Sequence, residues 1–306
     1  MIVGIPTYKR PVGLARLLDG LAKLETQHSI EIVVAENDCE RQTGEAVCQQ
    51  RIAEGYLHPI SVVMVDPRGI SEARNALVQW ALVRTDATFL AMIDDDEVPS
   101  SAWLDQLISV HARFDADVVG GPVQRVFDAK QMPDHLRRFN QTKTKSDRDG
   151  LIKSIESTGN ICFRLSFLTA NKEERFDSAF SMTGGGDRDF LQRLKRRGAK
   201  FAWAADALVF ETFPESRCTE AWSRQRAFRV GNSEMLAGLK NRPPNFMIKH
   251  AVQILISVAY LGLAHSFLLP SKYHRFASRQ AVMRSRGKIA ALRGRRFSEY
   301  HISHGT

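Results

Sequence analysis

The 306-residue sequence predicts an α/β fold, a mostly parallel sheet flanked by helices, followed by a helical tail of different composition. Three observations predict it. Short apolar runs alternate with helix-period segments over the first hundred residues, three aspartates follow the last of those runs, and the composition changes abruptly near residue 241.

Ile2-Val3-Gly4-Ile5 reads as the first strand. Leu14, Leu17, Leu18 and Leu21 recur at the spacing of one helix face, so 13–24 reads as a helix and Ile30 to Ala35 as the next strand. Ile60 to Val65, Ser71 to about Val83 and Thr88 to Ile93 repeat the order strand, helix, strand. After residue 115 come two extended segments, Asp117 to Val126 and Ser157 to Phe163, with the polar stretch 128–153 between them expected as a long loop. A helix follows Asp187, a strand lies near Phe201 to Phe210, and a helix begins at about Glu220. Beyond Asn241, Pro243-Pro244 interrupts the chain, Ala251 to Leu269 is almost entirely apolar, and 271–297 mixes Lys and Arg with apolar residues. Two units are expected, 1–240 and 241–306.

The net charge of +9 belongs to the tail, where residues 241–306 carry eleven Lys/Arg against one acid, Glu299. The remainder is close to neutral, which argues against specific nucleic-acid binding by the main unit. Cys39, Cys48, Cys162 and Cys218 form no CxxC pair and no zinc-ligand spacing, so reduced thiols in a cytoplasmic protein are expected. The N-terminus opens into a strand pattern without a secretory signal, which gives the same expectation.

Asp94-Asp95-Asp96 stands at the carboxyl end of an expected central strand, where open α/β sheets bind ligands. Residues two apart on a strand share a face, so Asp94 and Asp96 are expected to point into one cleft. Adjacent carboxylates repel one another unless a cation or strong donors offset them, and oxygen ligands suit Mg²⁺ or Mn²⁺. A polar turn capping a helix at Pro99 to Val110 is the plainer alternative. Gly184-Gly185-Gly186 before Asp187 permits close backbone approach, and Phe190, Leu191 and Leu194 begin a helical stripe behind it. Asp187 is therefore a candidate general base at a helix start, or simply a helix cap.

Four segments in order, Pro6-Thr7-Tyr8-Lys9-Arg10, Gly69-Ile70-Ser71-Glu72-Ala73-Arg74-Asn75, Ile93-Asp94-Asp95-Asp96 and Thr183-Gly184-Gly185-Gly186-Asp187, resemble the family 2 glycosyltransferases of the GT-A fold. The resemblance covers about 1–235. It implies a nucleotide-sugar donor and an inverting transfer. Asp94 would face the ribose and Asp96 would ligate Mg²⁺ or Mn²⁺ on the diphosphate. Pro6, Thr7, Tyr8 and Arg10 would line the base and ribose site, and Glu36 would contact the base, where the family more often has Asp. Arg74 and Asn75 match the family's donor-side pair, and Asp187 its catalytic base, with Gly186 standing where the family often has Glu. Gly121, Asn160, Gly185 and Gly186 fall in segments flanking the acceptor cleft. Glu211 falls near a position where many relatives place a metal-binding His; an ordinary strand-end acid is the alternative. Trp222, Arg224, Arg226 and Arg229 begin a helix either beside substrate phosphates or as a solvated face.

A helix over the apolar run would just reach the roughly 30 Å hydrocarbon thickness of a bilayer. A single crossing would put nine Lys/Arg on the outer side, against the positive-inside tendency, so a helix lying in the interface or a re-entrant hairpin fits better. A buried core helix with a basic arm is the competing reading. The resemblance implies a nucleotide-sugar partner of the UDP class and a saccharide or lipid-linked acceptor, and the tail adds the cytoplasmic face of the plasma membrane as an expected partner. A sugar-phosphate nucleotidyltransferase would want a glycine-rich loop after the first strand, and a dehydrogenase a GxGxxG there; neither is present. A basic membrane- or nucleic-acid-binding adaptor is the non-enzymatic rival.

Overall fold

The computed structural model describes residues 1–127, 132–141, 144–242, 244–266 and 271–297. The first half alternates β1 (Ile2–Thr7), α1 (Pro11–Leu21), β2 (Glu31–Glu36), α2 (Thr43–Ala53), β3 (Ile60–Met64), α3 (Ile70–Leu82) and β4 (Phe89–Ile93). It continues through β5 (Glu97–Pro99), α4 (Trp103–Phe114), β6 (Val118–Gly120), β7 (Val123–Phe127), α5 (Asp134–Asn140), β8 (Gly150–Leu151), β9 (Asn160–Arg164) and α6 (Leu165–Ala170). Then come α7 (Gly186–Arg196), β10 (Phe201–Trp203), β11 (Val209–Phe213), α8 (Glu220–Asn241), α9 (Phe246–His265) and α10 (Lys272–Leu292).

The main sheet has the order β3-β2-β1-β4-β9-β6-β10-β8. Strands β3, β2, β1 and β4 run parallel, as do β6 and β10, while β9 runs antiparallel between β4 and β6. Parallel neighbours need a covering crossover, so both faces are buried and their strands read as unbroken apolar runs. Successive side chains then divide between two cores. Val3, Ile5, Ile32, Val34 and Ile93 meet α1 and α4 on one face through Leu14, Leu17, Trp103 and Leu107. Ile2, Val33, Leu90 and Met92 meet α3 and α7 on the other through Leu77, Val78, Phe190 and Leu194.

Three features depart from the expectations. Helix α2 was not legible because it buries only Gly44 and Cys48, too few positions for a periodic stripe. The stretch 128–153 contains α5 and β8, with 128–131 and 142–143 outside the described residues. The extended segments Asp117 to Val126 and Phe201 to Phe210 each divide into two strands, β6 then β7 and β10 then β11, the first of each entering the main sheet and the second a small sheet of order β5-β11-β7, whereas Ser157 to Phe163 gives the single strand β9. At those crossings the backbones nearly touch: a Cβ on Gly121 would stand 2.2 Å from the Ala207 carbonyl oxygen.

The C-terminal helices pack as a layer on the rest. Backbones meet where α10 crosses α8, since a Cβ on Gly231 would lie 1.9 Å from the Arg284 carbonyl oxygen and one on Gly287 equally close to that of Phe228. The expected boundary at 240 falls in the last turn of α8. Pro243, the end of the apolar run from 267 to 269, and 298–306 lie outside the described residues.

The polarity of α9 is inverted. Its inner face carries polar groups: Ser257 bonds Ser285, Lys288 donates to Gln253, and Tyr260 pairs with His274. Its outer face exposes Met247, Ile248, Val252, Leu255, Ile256, Val258 and Leu263, and the helix is long and apolar enough to cross a membrane.

Candidate active site

A cavity of about 470 Å³ opens beyond the carboxyl ends of β1 and β4. The acidic run forms its floor. Asp94, Asp95 and Asp96 all line it, and they do so from a turn after β4, not by alternation along an extended strand. Asp95 turns inward, 4% exposed, where Oδ2 accepts from Thr7 Oγ1 (2.9 Å) and Oδ1 from Arg10 Nη1 (2.9 Å). The same Arg10 nitrogen donates to Asp96 Oδ2 at 2.9 Å. Asp95 thus gains a role, fixing the first-strand segment to the acidic turn.

Glu97 closes the turn, its carboxylate accepting from the Asp94 amide (3.2 Å) while its own amide donates to the Asp94 carbonyl (3.1 Å). Burial pushes Glu97 well above the usual carboxylate range, with Asp94 and Asp96 adding to it. Burial likewise raises Asp94, against Arg74, and takes Asp95 up to about 6 against Arg10. These shifts share a cause, negative charge gathered where water is scarce. Gly159 makes room for it, because a Cβ there would stand 2.9 Å from both Asp94 Oδ2 and Glu97 Oε1.

Arg74 on α3 joins two halves of the site. Its Nη1 donates to Asp187 Oδ1 at 2.6 Å and its Nη2 to Asp94 Oδ1 at 3.3 Å. Asp187 lies in the first turn of α7; it does not itself line the cavity but adjoins it through Arg74, and its Oδ2 accepts from the Thr158 amide (3.4 Å). The glycines before it have packing roles. Gly184 and Gly185 adopt positive φ (73° and 96°), which favours glycine, and Gly185 abuts Ser233 of α8 while Gly186 abuts Ser71 of α3.

Pro6, Thr7, Tyr8 and Arg10 all line the cavity. Tyr8 sits beneath the Arg68 guanidinium, 4.1 Å from the ring centroid. Several other expected contacts fall elsewhere. Glu36 is fully buried and accepts from the amides of Asp38 (2.9 Å), Gly44 (2.6 Å) and Glu45 (3.3 Å), so it satisfies the N-terminus of α2 instead of facing a base. Its neighbour Asn37 lines the cavity in its place. Asn75 exchanges hydrogen bonds with the backbone of Phe176, bracing α3 against the segment leading to the glycines, and does not line the cavity. Asn160 is 3% exposed: it accepts from Trp103 Nε1 (2.8 Å) and donates to the carbonyls of Pro122 (3.0 Å) and Ala207 (2.7 Å). With Gly121 it staples the point where the segments 117–126 and 201–210 change sheets, and neither residue lines the cavity.

Glu211 on β11 accepts from Arg125 Nε on β7 (2.9 Å) and lies 3.7 Å from Arg217 Nη1, so both its oxygens face guanidinium groups. Among the described residues no three His, Cys, Asp or Glu side chains converge as a ligand set. A Mg²⁺ or Mn²⁺ that also takes diphosphate oxygens needs only one or two protein carboxylates, and Asp96 and Asp94 at the cavity wall meet that requirement without Glu211. Arg68, Arg125 and Arg217 carried no sequence signal; they belong to loops and a second sheet that fold alone brings to the cavity.

Comparison with known proteins agrees with this architecture. The model of the family described as Glycosyl transferase family 2 matches residues 2–172. The succinoglycan biosynthesis protein ExoM of Rhizobium meliloti (strain 1021) is 31% identical over 235 residues, covering 76% of this chain and 72% of that protein. The chondroitin synthase of Escherichia coli is 23% identical over 249 residues, covering 71% of this chain and 35% of the larger protein. Among solved structures, the mannosyltransferase PcManGT of Pyrobaculum calidifontis, in complex with GDP-Man and Mn²⁺, superposes with a TM-score of 0.64 at 16% identity, over 95% of this chain and 86% of that one. S. aureus TarS 1-349 in complex with UDP gives 0.53 at 14% identity, over 99% and 94%. With a parallel sheet that ends in an acidic turn and a family match over more than half its length, this chain belongs to glycosyl transferase family 2 and carries the GT-A fold.

Proposed function

We propose that the enzyme transfers a sugar, with inversion, from a nucleotide-sugar of the UDP class to a saccharide or lipid-linked acceptor in polysaccharide assembly. The observation that carries this reading is the Arg74 bridge, which holds Asp187 and Asp94 within one guanidinium's reach. Asp187 acts as the general base towards the acceptor hydroxyl, and Arg74 fixes the direction in which its carboxylate points. A carboxylate is a weak base towards an alcohol, so the proton moves late, when the oxygen is already bonding to an oxocarbenium-like carbon. One base and one displacement give inversion. Tyr8 and Asn37 offer a ring and a polar wall to the nucleoside, while Asp94 and Asp96 would hold a Mg²⁺ or Mn²⁺, which would offset charge on the departing diphosphate.

The relatives support the setting, since ExoM is named for succinoglycan biosynthesis and the larger relative is a chondroitin synthase. The exposed apolar face of α9 beside the basic α10 supports peripheral attachment to the cytoplasmic face of the plasma membrane, with residues 241–306 as the attaching unit and 1–240 as the transferase.

A donor panel of UDP- and GDP-sugars with Mn²⁺ or Mg²⁺ and a membrane extract tests the reading through nucleotide release and anomeric configuration. Release with retained configuration, or no release from any donor, overturns it.

A further inference from the structure

The cavity holds more positive charge than its donor-site acids explain. Arg125 on β7 stands opposite Glu211 in the ladder with β11. Arg217 follows β11 in the short turn Glu215–Arg217, with Nη1 3.6 Å from Asp96 and 3.7 Å from Glu211, and its Nε is buried without a hydrogen-bond partner. Trp222, Arg226 and Arg229 occupy positions four and three apart on α8, which places them on one helix face, and all three line the cavity. Arg226 lies with its guanidinium 5.0 Å over the Trp222 ring. Burial, then Arg125 and Arg229, lower Arg226 to about 9, the mark of like charges crowded away from water. A solvated face would look different, as Arg224 of the same helix shows: it is exposed and pairs with Glu220 at 3.4 Å.

We propose that Arg125, Arg217, Arg226 and Arg229 form an anion subsite that takes a phosphate or diphosphate group, with Glu211 as the positioning residue that holds Arg125 and Arg217. Guanidinium groups converging from a strand, a turn and a helix match phosphate oxygens, which accept from several planar forks at once. Arg217 links the subsite to Asp96, so the bound group adjoins the acidic turn. The inference rests on the reading of this cavity as the transfer site, and extends it by assigning the far wall. Two groups share the required chemistry: the donor's diphosphate and a phosphate at the lipid end of an acceptor.

The test is calorimetric titration of inorganic pyrophosphate into the full chain in EDTA at fixed ionic strength. Arg226→Gln and Arg125→Gln are expected to weaken binding at least tenfold, Arg226→Lys to recover part of it, and Arg224→Gln to stay within twofold of the parent, with melting temperatures reporting that each variant is folded. Parent-like affinity in both glutamine variants, or no pyrophosphate binding by the parent, overturns the subsite. A second titration with UDP already saturating separates the sources. Exclusion of pyrophosphate assigns the subsite to the donor, and continued arginine-dependent binding assigns it to an acceptor phosphate; either outcome upholds it. Glu211→Gln should leave unchanged the Mn²⁺ concentration that supports half-maximal UDP binding, whereas a tenfold shift would overturn its positioning role. Failure of UDP to bind the parent while pyrophosphate binding stays arginine-dependent would sink the donor reading and leave the subsite standing.

Discussion

Asp187→Asn separates stability from chemistry at the Arg74 bridge. The substitution keeps the size and one hydrogen-bonding oxygen of the side chain that faces Arg74 Nη1 at 2.6 Å, but removes the charge and the base. A charge-assisted bond contributes about 1.5–3 kcal/mol and a neutral one about 1, so stability should fall by about 0.5–2 kcal/mol. For a chain of this size that is a drop in Tm of roughly 1–8 °C. Loss of a general base costs about 10²–10⁴ in rate, or about 2.7–5.4 kcal/mol at about 1.36 per decade. Catalysis should therefore suffer more than folding. Nucleotide release measured over a range of donor and acceptor concentrations gives kcat and KM, and calorimetry gives UDP affinity on the same sample. The expected variant is folded at assay temperature, binds UDP within about threefold of the parent, and has lost at least about a hundredfold in kcat. A kcat above a tenth of the parent's would refute Asp187 as base; parallel loss of UDP binding would show that it supports the donor pocket instead.

Three further outcomes are expected. Asp96→Asn abolishes the dependence of UDP binding on Mn²⁺, read by titration with and without the metal, and unchanged dependence would count against the cation site. Glu234, 9% exposed in its side chain, pairs with Arg188 (3.3 Å), Arg284 (2.9 Å) and Lys288 (3.5 Å), so Glu234→Gln should destabilise by about 3 kcal/mol, the scale for breaking a buried network. Burial raises its pKa but those three cations win and hold it below its ordinary 4.5, so its contribution is complete above pH 4.5 and lost as the pH falls through the lower folded value; the parent-to-variant gap in chemical denaturation should close there. Gly231→Val forces a side chain into the α8–α10 crossing and should cost about 1–3 kcal/mol or more, whereas Gly262→Ala, with open space around it, should be tolerated.

The strands of the main sheet other than β8, and the stripes of α1, α3 and α7, were legible because burial on one or two faces writes a period into the residues themselves. The acidic turn and Asp187 were legible as types in a particular order. What escaped has a common physical origin. Glu36, Asn75 and Asn160 are polar residues beside the site whose side chains satisfy buried backbone groups, and nothing in a linear sequence tells a polar residue that serves a ligand from one that serves a helix end or a strand crossing. Arg125 and Arg217 escaped because their proximity depends on a second sheet formed only when two extended segments break at Gly121 and near Ala207. Glu211 was read as a strand-end acid or a ligand; its partners, unknowable from its neighbours in sequence, are arginines.

Helix α8 offers its early residues Trp222, Arg226 and Arg229 to the cavity and, two residues beyond Arg229, meets α10 backbone to backbone at Gly231. Such a joint has no cushion of long side chains to absorb a tilt. Under the proposed seating of α9 on a bilayer, the height of the cavity above the lipid would be set by helix geometry, and the protein would act as a ruler. Acceptors would be sorted by the distance between their anchored end and their reacting hydroxyl, a selection that lengthening or shortening the acceptor by single sugars would reveal and that no residue inside the cavity could supply.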